Sequence, residues 1–453
     1  MGRCYARELA SVCFAVSLSL EPACRREPSF TPESMAADFD LLWSTLNARY
    51  AYFDRKATDW PCVRQRYGPE AAKAASPRDF VTLLERALDE LYDRHTHLKV
   101  NTSHSTRLVP SGLDVWAEWQ DGRAVITQLR PGFGAEQAGL RPGMRLLTVA
   151  GVPIEEAVRR RIGACVSKDD PGARSWALLA LLAGTHDTPR RVEVEGPDGK
   201  PRPFELDRPE HLRAGATPPA PKVASRVLDD SIGYLHVRDL GSDETLPLFD
   251  AALHALRGTR ALILDLRDTP GGGNTSVAEP MLGRFVERTQ GYQQILPRGG
   301  EPWVRTVSPR GTAYRAPLVV LVARWTGSMA EGMAIGLDGM GRATVVGTRM
   351  AGLNGAVFDL ELPNTRIRLA YAGEKLSHVD GTPREDFVPR VLVDLSDREV
   401  ARLSDPILEV GLRTARRLAG IAPATAREAP HHSEERPNEM QRTRPAQASE
   451  PRR

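Results

Sequence analysis

A chain of 453 residues, 41% hydrophobic and 26% charged, has the size for several cores and the balance of an ordinary soluble globular protein. Its 61 basic and 58 acidic residues leave a net charge of only +3, and no basic block is interleaved with aromatics, which argues against nucleic acid as a partner.

The first residues stand apart. Arg3 and Arg7 precede a mostly apolar run over residues 9–20, too short to span a bilayer but suited to the hydrophobic region of a signal peptide. Residues 1–27 are therefore read as an export signal, with the mature protein expected in the periplasm or outside the cell. Ala23-Cys24 faintly resembles a lipoprotein cleavage site, the one route to membrane attachment, although Glu21 departs from that pattern. Cys4, Cys13 and Cys24 fall in this leader. Cys62 and Cys165 remain, either as one disulfide or as two buried thiols, and their spacing specifies no metal site.

Residues 28–100 read as a small helical domain. Phe39, Leu42, Trp43, Leu46 and Tyr50 recur at helical spacing, as do Phe80, Leu83, Leu84, Ala87, Leu88 and Leu91. Ser76-Pro77 has the cap and first-turn proline of a helix start. Residues 101–210 are richer in strands and turns. Gly112-Leu113-Asp114-Val115, residues 124–129 and residues 134–149 resemble a PDZ domain, most closely in RPGFGAEQAGLRPGMRLLTVAGV, residues 130–152. In that family, loop amides hold a peptide's C-terminal carboxylate while the peptide adds to a sheet edge. The resemblance implies peptide binding at Gly112, Leu113 and Val115, with Asp114 standing where glycine is usual. A PDZ-shaped spacer without a ligand is the alternative. A helical insert at 173–183 and a strand at 191–194 lengthen this domain.

Residues 211–420 alternate strand and helix. Short apolar strands at 232–237, 261–266, 318–322 and 343–346, with helices at 246–256 and 329–338, predict an α/β core with a mostly parallel sheet. Residues 421–453 lose nearly all large apolar side chains and gain Pro, Glu and Arg, as a disordered tail does, and His431-His432 there is incidental.

Three segments of the core and one before it carry chemistry. In PLVVLVARWTGSMAEG the serine, Ser328, falls where a buried strand hands over to a helix, so its hydroxyl sits near amides that favour developing negative charge. Ser328-Met329-Ala330-Glu331 also fits a capping box, the commoner reading of such a pattern alone. ALILDLRDTPGGGN runs from a strand into a glycine loop with no Gly-Lys-Ser/Thr after it, so it suits half of an oxyanion hole rather than a phosphate loop. The donors are then Gly271 or Gly272 together with Met329. Asp93, His95 and His97 alternate and on a strand would share a face, which suits a metal, but no further ligand set accompanies them. Glu385 lies in a late turn and by itself reads as a solvated residue.

Together these segments resemble the C-terminal processing (tail-specific) serine protease family over about residues 36–400, in the order helical domain, PDZ-like domain, catalytic core. One departure bears on mechanism. The bacterial tail-specific branch uses a lysine base in a glycine-flanked segment, yet GTRMAGLNG at 347–355 has none. Arg349 cannot substitute, because a guanidinium does not deprotonate at working pH. The tricorn-like branch instead takes histidine from Asp-x-His-Thr, which Asp93-Arg94-His95-Thr96 matches. The resemblance thus implies Ser328 as nucleophile, His95 as base and Glu385 as its orienting carboxylate, with protein or peptide substrates and no metal or other cofactor. The alternative is a catalytically inactive relative serving as a peptide- or small-ligand-binding scaffold, with a metal hydrolase further off.

Overall fold

The computed structural model describes residues 27–206, 220–397 and 399–422. The predicted export signal, but for its last residue, and the predicted tail beyond residue 422 lie outside them. No described helix is long and apolar enough to cross a membrane.

The core sheet has six strands. Val391–Leu392, Ala343–Gly347, Leu318–Val322, Ala261–Asp265 and Ile232–Val237 run parallel in that order, and Val223–Leu228 closes the edge antiparallel. Strands buried on both faces need apolar side chains at every position. Leu262, Leu264, Leu318, Val320 and Val345 accordingly pack with Phe249 and Met333 on one face. Ile263, Val319, Leu321 and Val346 pack with Ile407 and Ala415 on the other. Helices Thr245–Leu256, Thr275–Leu282, Met329–Gly339 and Pro406–Leu418 supply the layers.

Asp265 and Leu321 are in register on neighbouring strands, so the loops that follow both strands leave the sheet side by side. A short parallel pairing of Asp268–Thr269 with Trp325–Thr326 then holds the glycine loop against the serine turn. This is the carboxyl end of a parallel sheet, where open α/β folds place their sites.

Helices Pro32–Arg49, Trp60–Ala71 and Pro77–Asp89 form the N-terminal layer, and Ser76 caps the third as its sequence predicts. Residues 115–206 build an antiparallel sheet whose edge strand, Val115–Gln120, is covered by helix Pro171–Ala183. A third, antiparallel sheet, absent from the sequence reading, joins His97–Leu98, Gln290–Pro297, Trp303–Val307, Ala356–Glu361 and Arg368–Ser377. The α/β description therefore fits the core, while the two other large sheets are antiparallel.

Cys62 and Cys165 form a disulfide across 103 residues, fastening the N-terminal helices to the β-rich segment. Closing so long a loop constrains the unfolded chain by roughly 5 kcal/mol in the entropic account. Reduction should therefore lower the melting temperature of the wild type but not of a Cys62→Ser/Cys165→Ser variant, as calorimetry with and without reductant would read.

Candidate active site

Ser328 sits at φ 55°, ψ −116°, a left-handed conformation unusual for a residue with a side chain. Such strain persists only where neighbours over-determine it, and it clusters at functional turns. Here the Gly327 amide donates to the Thr269 carbonyl at 3.0 Å. The Glu331 carboxylate accepts the Ser328 amide at 2.7 Å, the glutamate half of the capping box. The serine hydroxyl meets the histidine, with Oγ 3.1 Å from Nε2 of His95.

His95 is held on every side. Its Nδ1 lies 2.6 Å from the Asn354 carbonyl oxygen, which fixes the proton on Nδ1 and leaves Nε2 free to accept. Its amide donates to Asp93 at 2.9 Å, and Asp93 also accepts from the Tyr50 hydroxyl at 2.8 Å and the Thr96 hydroxyl at 2.9 Å. Strand pairing of His97 with Ala370 anchors the same segment from below. Asp93 is thus the support of the histidine backbone rather than a metal ligand. Among the described residues no group of three His, Cys, Asp or Glu side chains has the geometry to hold a metal ion.

Burial, with the Arg384 charge second, pushes the His95 imidazole down to about 4. The ring is therefore neutral at ordinary pH. The acid limb of any Ser328-dependent rate should fall near pH 4 rather than at the usual 6.5, which a pH–rate profile would read. Stability responds in the same window. As pH falls from 6.5 towards 4 the unfolded chain takes up a proton that native His95 refuses, so this group's contribution to stability is lost across that range.

The glycine loop lies close to the nucleophile. A Cβ on Gly271 would be 3.8 Å from that of Ser328, and one on Gly273 would fall 2.2 Å from the Met329 Cβ. The amides of Gly271, Gly272 and Met329 have no protein acceptor among the described residues. They are the donors named from sequence, on a loop and a helix start that lie against each other.

Two assignments need correction. Glu385 does not reach His95. One of its oxygens accepts from Arg55 at 2.6 Å, the other is buried without a partner, and the imidazole's second nitrogen is occupied by Asn354. In the turn Arg384–Asp386 it is Arg384 that points inward. The Gly112–Val115 loop is also not an open cradle. The Gly112 amide donates to the Leu108 carbonyl at 2.6 Å and the Leu113 amide to that of Pro110 at 3.2 Å. Leu113 and Val115 are fully buried, and Asp114 is paired internally with Arg190 at 2.5 Å. The Leu113 carbonyl accepts the Trp325 indole at 2.7 Å, so this loop buttresses the nucleophile turn.

A neutral histidine within hydrogen-bond reach of a strained serine, beside a glycine loop at the carboxyl end of a parallel sheet, is the apparatus of a serine hydrolase. Residues 231–386 match peptidase family S41, a serine protease family, and residues 31–89 match the tricorn protease C1 domain.

The chain is 25% identical over 317 residues to a tricorn protease homolog 2 of Streptomyces coelicolor, covering 65% of this chain but 24% of that protein. It is 26% identical over 331 residues to a carboxyl-terminal-processing protease of Synechocystis sp., covering 68% and 69% of the two chains. Among solved structures, mature CPAF aligns with a TM-score of 0.59 at 15% identity over 86% of this chain and 98% of that one. The photosystem II D1 C-terminal processing protease aligns at 0.54 and 19% identity over 85% and 97%. These likenesses extend the fold beyond the family match.

Proposed function

We propose that the protein is a serine peptidase that cleaves proteins or peptides through an acyl-enzyme. The observation that carries this reading is the 3.1 Å approach of His95 Nε2 to the Ser328 hydroxyl, with Nδ1 committed to a carbonyl. Ser328 Oγ attacks the peptide carbonyl carbon as its proton passes to Nε2, and the oxyanion is met by the amides of Gly271 or Gly272 and Met329. Collapse expels the amine, which takes the proton from His95. Water then repeats the sequence to release the acid. The missing lysine at 347–355 removes no necessary base, and the scaffold alternative has no observation in its favour. A fluorophosphonate probe should label the wild type and not Ser328→Ala. Equal labelling of both would overturn the assignment.

The names of the relatives support a substrate class of protein C-termini. We read residues 101–210 as PDZ-like, with a substrate tail adding to the edge strand Val115–Gln120 beside helix Pro171–Ala183 instead of entering the Gly112–Val115 loop. Peptides with free C-termini should be cleaved faster than their amidated partners. Indistinguishable rates would remove tail selectivity and leave the hydrolase reading intact. The Cys62–Cys165 disulfide supports an oxidising compartment and so export.

A further inference from the structure

Two buried side chains of opposite charge flank the nucleophile turn. Glu331, 0% exposed, accepts the amides of Ser328 at 2.7 Å and Gly352 at 2.8 Å, with that of Leu353 at 3.3 Å. Arg384, 3% exposed, donates to the carbonyls of Ser328 at 3.3 Å, Leu353 at 2.9 Å and Gly355 at 2.8 Å. Each therefore ties the nucleophile residue to the loop at 352–355, one through amides and the other through carbonyls. Within that loop lies Asn354, whose carbonyl orients His95.

We propose that Glu331 and Arg384 are a positioning pair that sets the register of Ser328 against His95, each gripping the main chain of the nucleophile and of the loop that orients the base. The proposal rests on the serine-peptidase reading above. A helix cap needs only the first of Glu331's contacts, and the bonds to Gly352 and Leu353 exceed that role. Burying a carboxylate and a guanidinium is costly unless they are hydrogen-bonded. The Glu331 carboxylate and the two terminal nitrogens of Arg384 are directed onto the two backbone segments whose separation decides the Ser–His distance, Arg384 Nε alone staying without a partner among the described residues. The left-handed turn at Ser328 is held at its own N–H by Glu331 and at its own C=O by Arg384.

Arg384 adds an electrostatic effect. The groups acting on His95 are Arg384 and His97, which disfavour the imidazolium, and Asp93 and the Asn354 carbonyl, which favour it. Arg384→Gln should therefore raise the His95 titration and move the acid limb to higher pH. Arg384→Lys keeps the charge and the acid limb but loses the planar fork that spans three carbonyls.

The test uses the full chain, with kcat, KM, pH profile and melting temperature for Glu331→Gln, Arg384→Lys and Arg384→Gln, and the His95 titration followed by NMR. Misplacement by about 1 Å should lower kcat roughly 10²-fold in all three. KM should change less than about threefold, because substrate binding is not the interaction removed. Wild-type kcat in both Glu331→Gln and Arg384→Lys would overturn the proposal, as would losses that vanish on cooling below each variant's melting transition. Failure of the wild type to react with a fluorophosphonate would sink the peptidase reading instead. The His95 titration would still judge the pair, because it needs no turnover, and an unshifted value in Arg384→Gln would count against it.

Discussion

Ser328→Ala should lower peptide cleavage by about 10⁴-fold or more, and His95→Ala should do nearly the same. The two side chains act as one unit, since the hydroxyl is a weak nucleophile until its proton has an acceptor 3.1 Å away. The double variant should accordingly be little worse than either single one. Whatever rate remains reports the backbone amides and binding alone. Single-turnover kinetics on an unfolded protein substrate would read all three variants, with circular dichroism to confirm that each is folded. Wild-type cleavage by Ser328→Ala would refute the nucleophile. Loss of activity in His97→Ala with His95→Ala unaffected would move the base by two residues.

Gly273→Ala should reduce kcat by roughly 10²- to 10³-fold, the usual effect of spoiling one oxyanion donor. The new methyl would lie 2.2 Å from the Met329 Cβ, so the glycine loop and the helix start must separate, carrying the amides of Gly271 and Gly272 away from that of Met329. Gly272 is the gentler position sterically, because a Cβ there meets no atom within 4 Å, although φ is +78° and a side chain would strain the backbone. Met329→Ala should be tolerated, since the donor is main chain. If Gly273→Ala lost melting temperature in step with activity, the loop would be a structural turn and no more.

Legibility in the sequence followed the physics of each element. Leu318–Val322 could be read because a strand covered on both faces must be apolar throughout. Gln290–Pro297 and Arg368–Ser377 could not, because Gln, Arg, Glu and Lys interrupt the apolar pattern, Gln293 doing so although it is buried. Ser328 and His95 were found by motif, and the structure brings them together across 233 residues. Asn354 was missed because it serves through its carbonyl, a group every residue carries. Glu385 was placed one residue away from the side chain that enters the site, since a short turn gives no periodicity from which to infer direction. Glu331 was visible as a helix cap. Its hold on Gly352 and Leu353 depends on a loop 21 residues on, which local pattern does not encode.

The distance in sequence between His95 and Ser328 has a consequence for the life of the chain. The histidine segment is made first, and it is seated by pairing with Arg368–Ser377, which is made after the serine. Neither half is a weapon without the other. A nascent chain holds an inert hydroxyl or an idle imidazole, and the two meet only when the last strands close over the first helices. Completion of the fold is thus itself the safety catch, and a chain that misassembles cannot digest its neighbours.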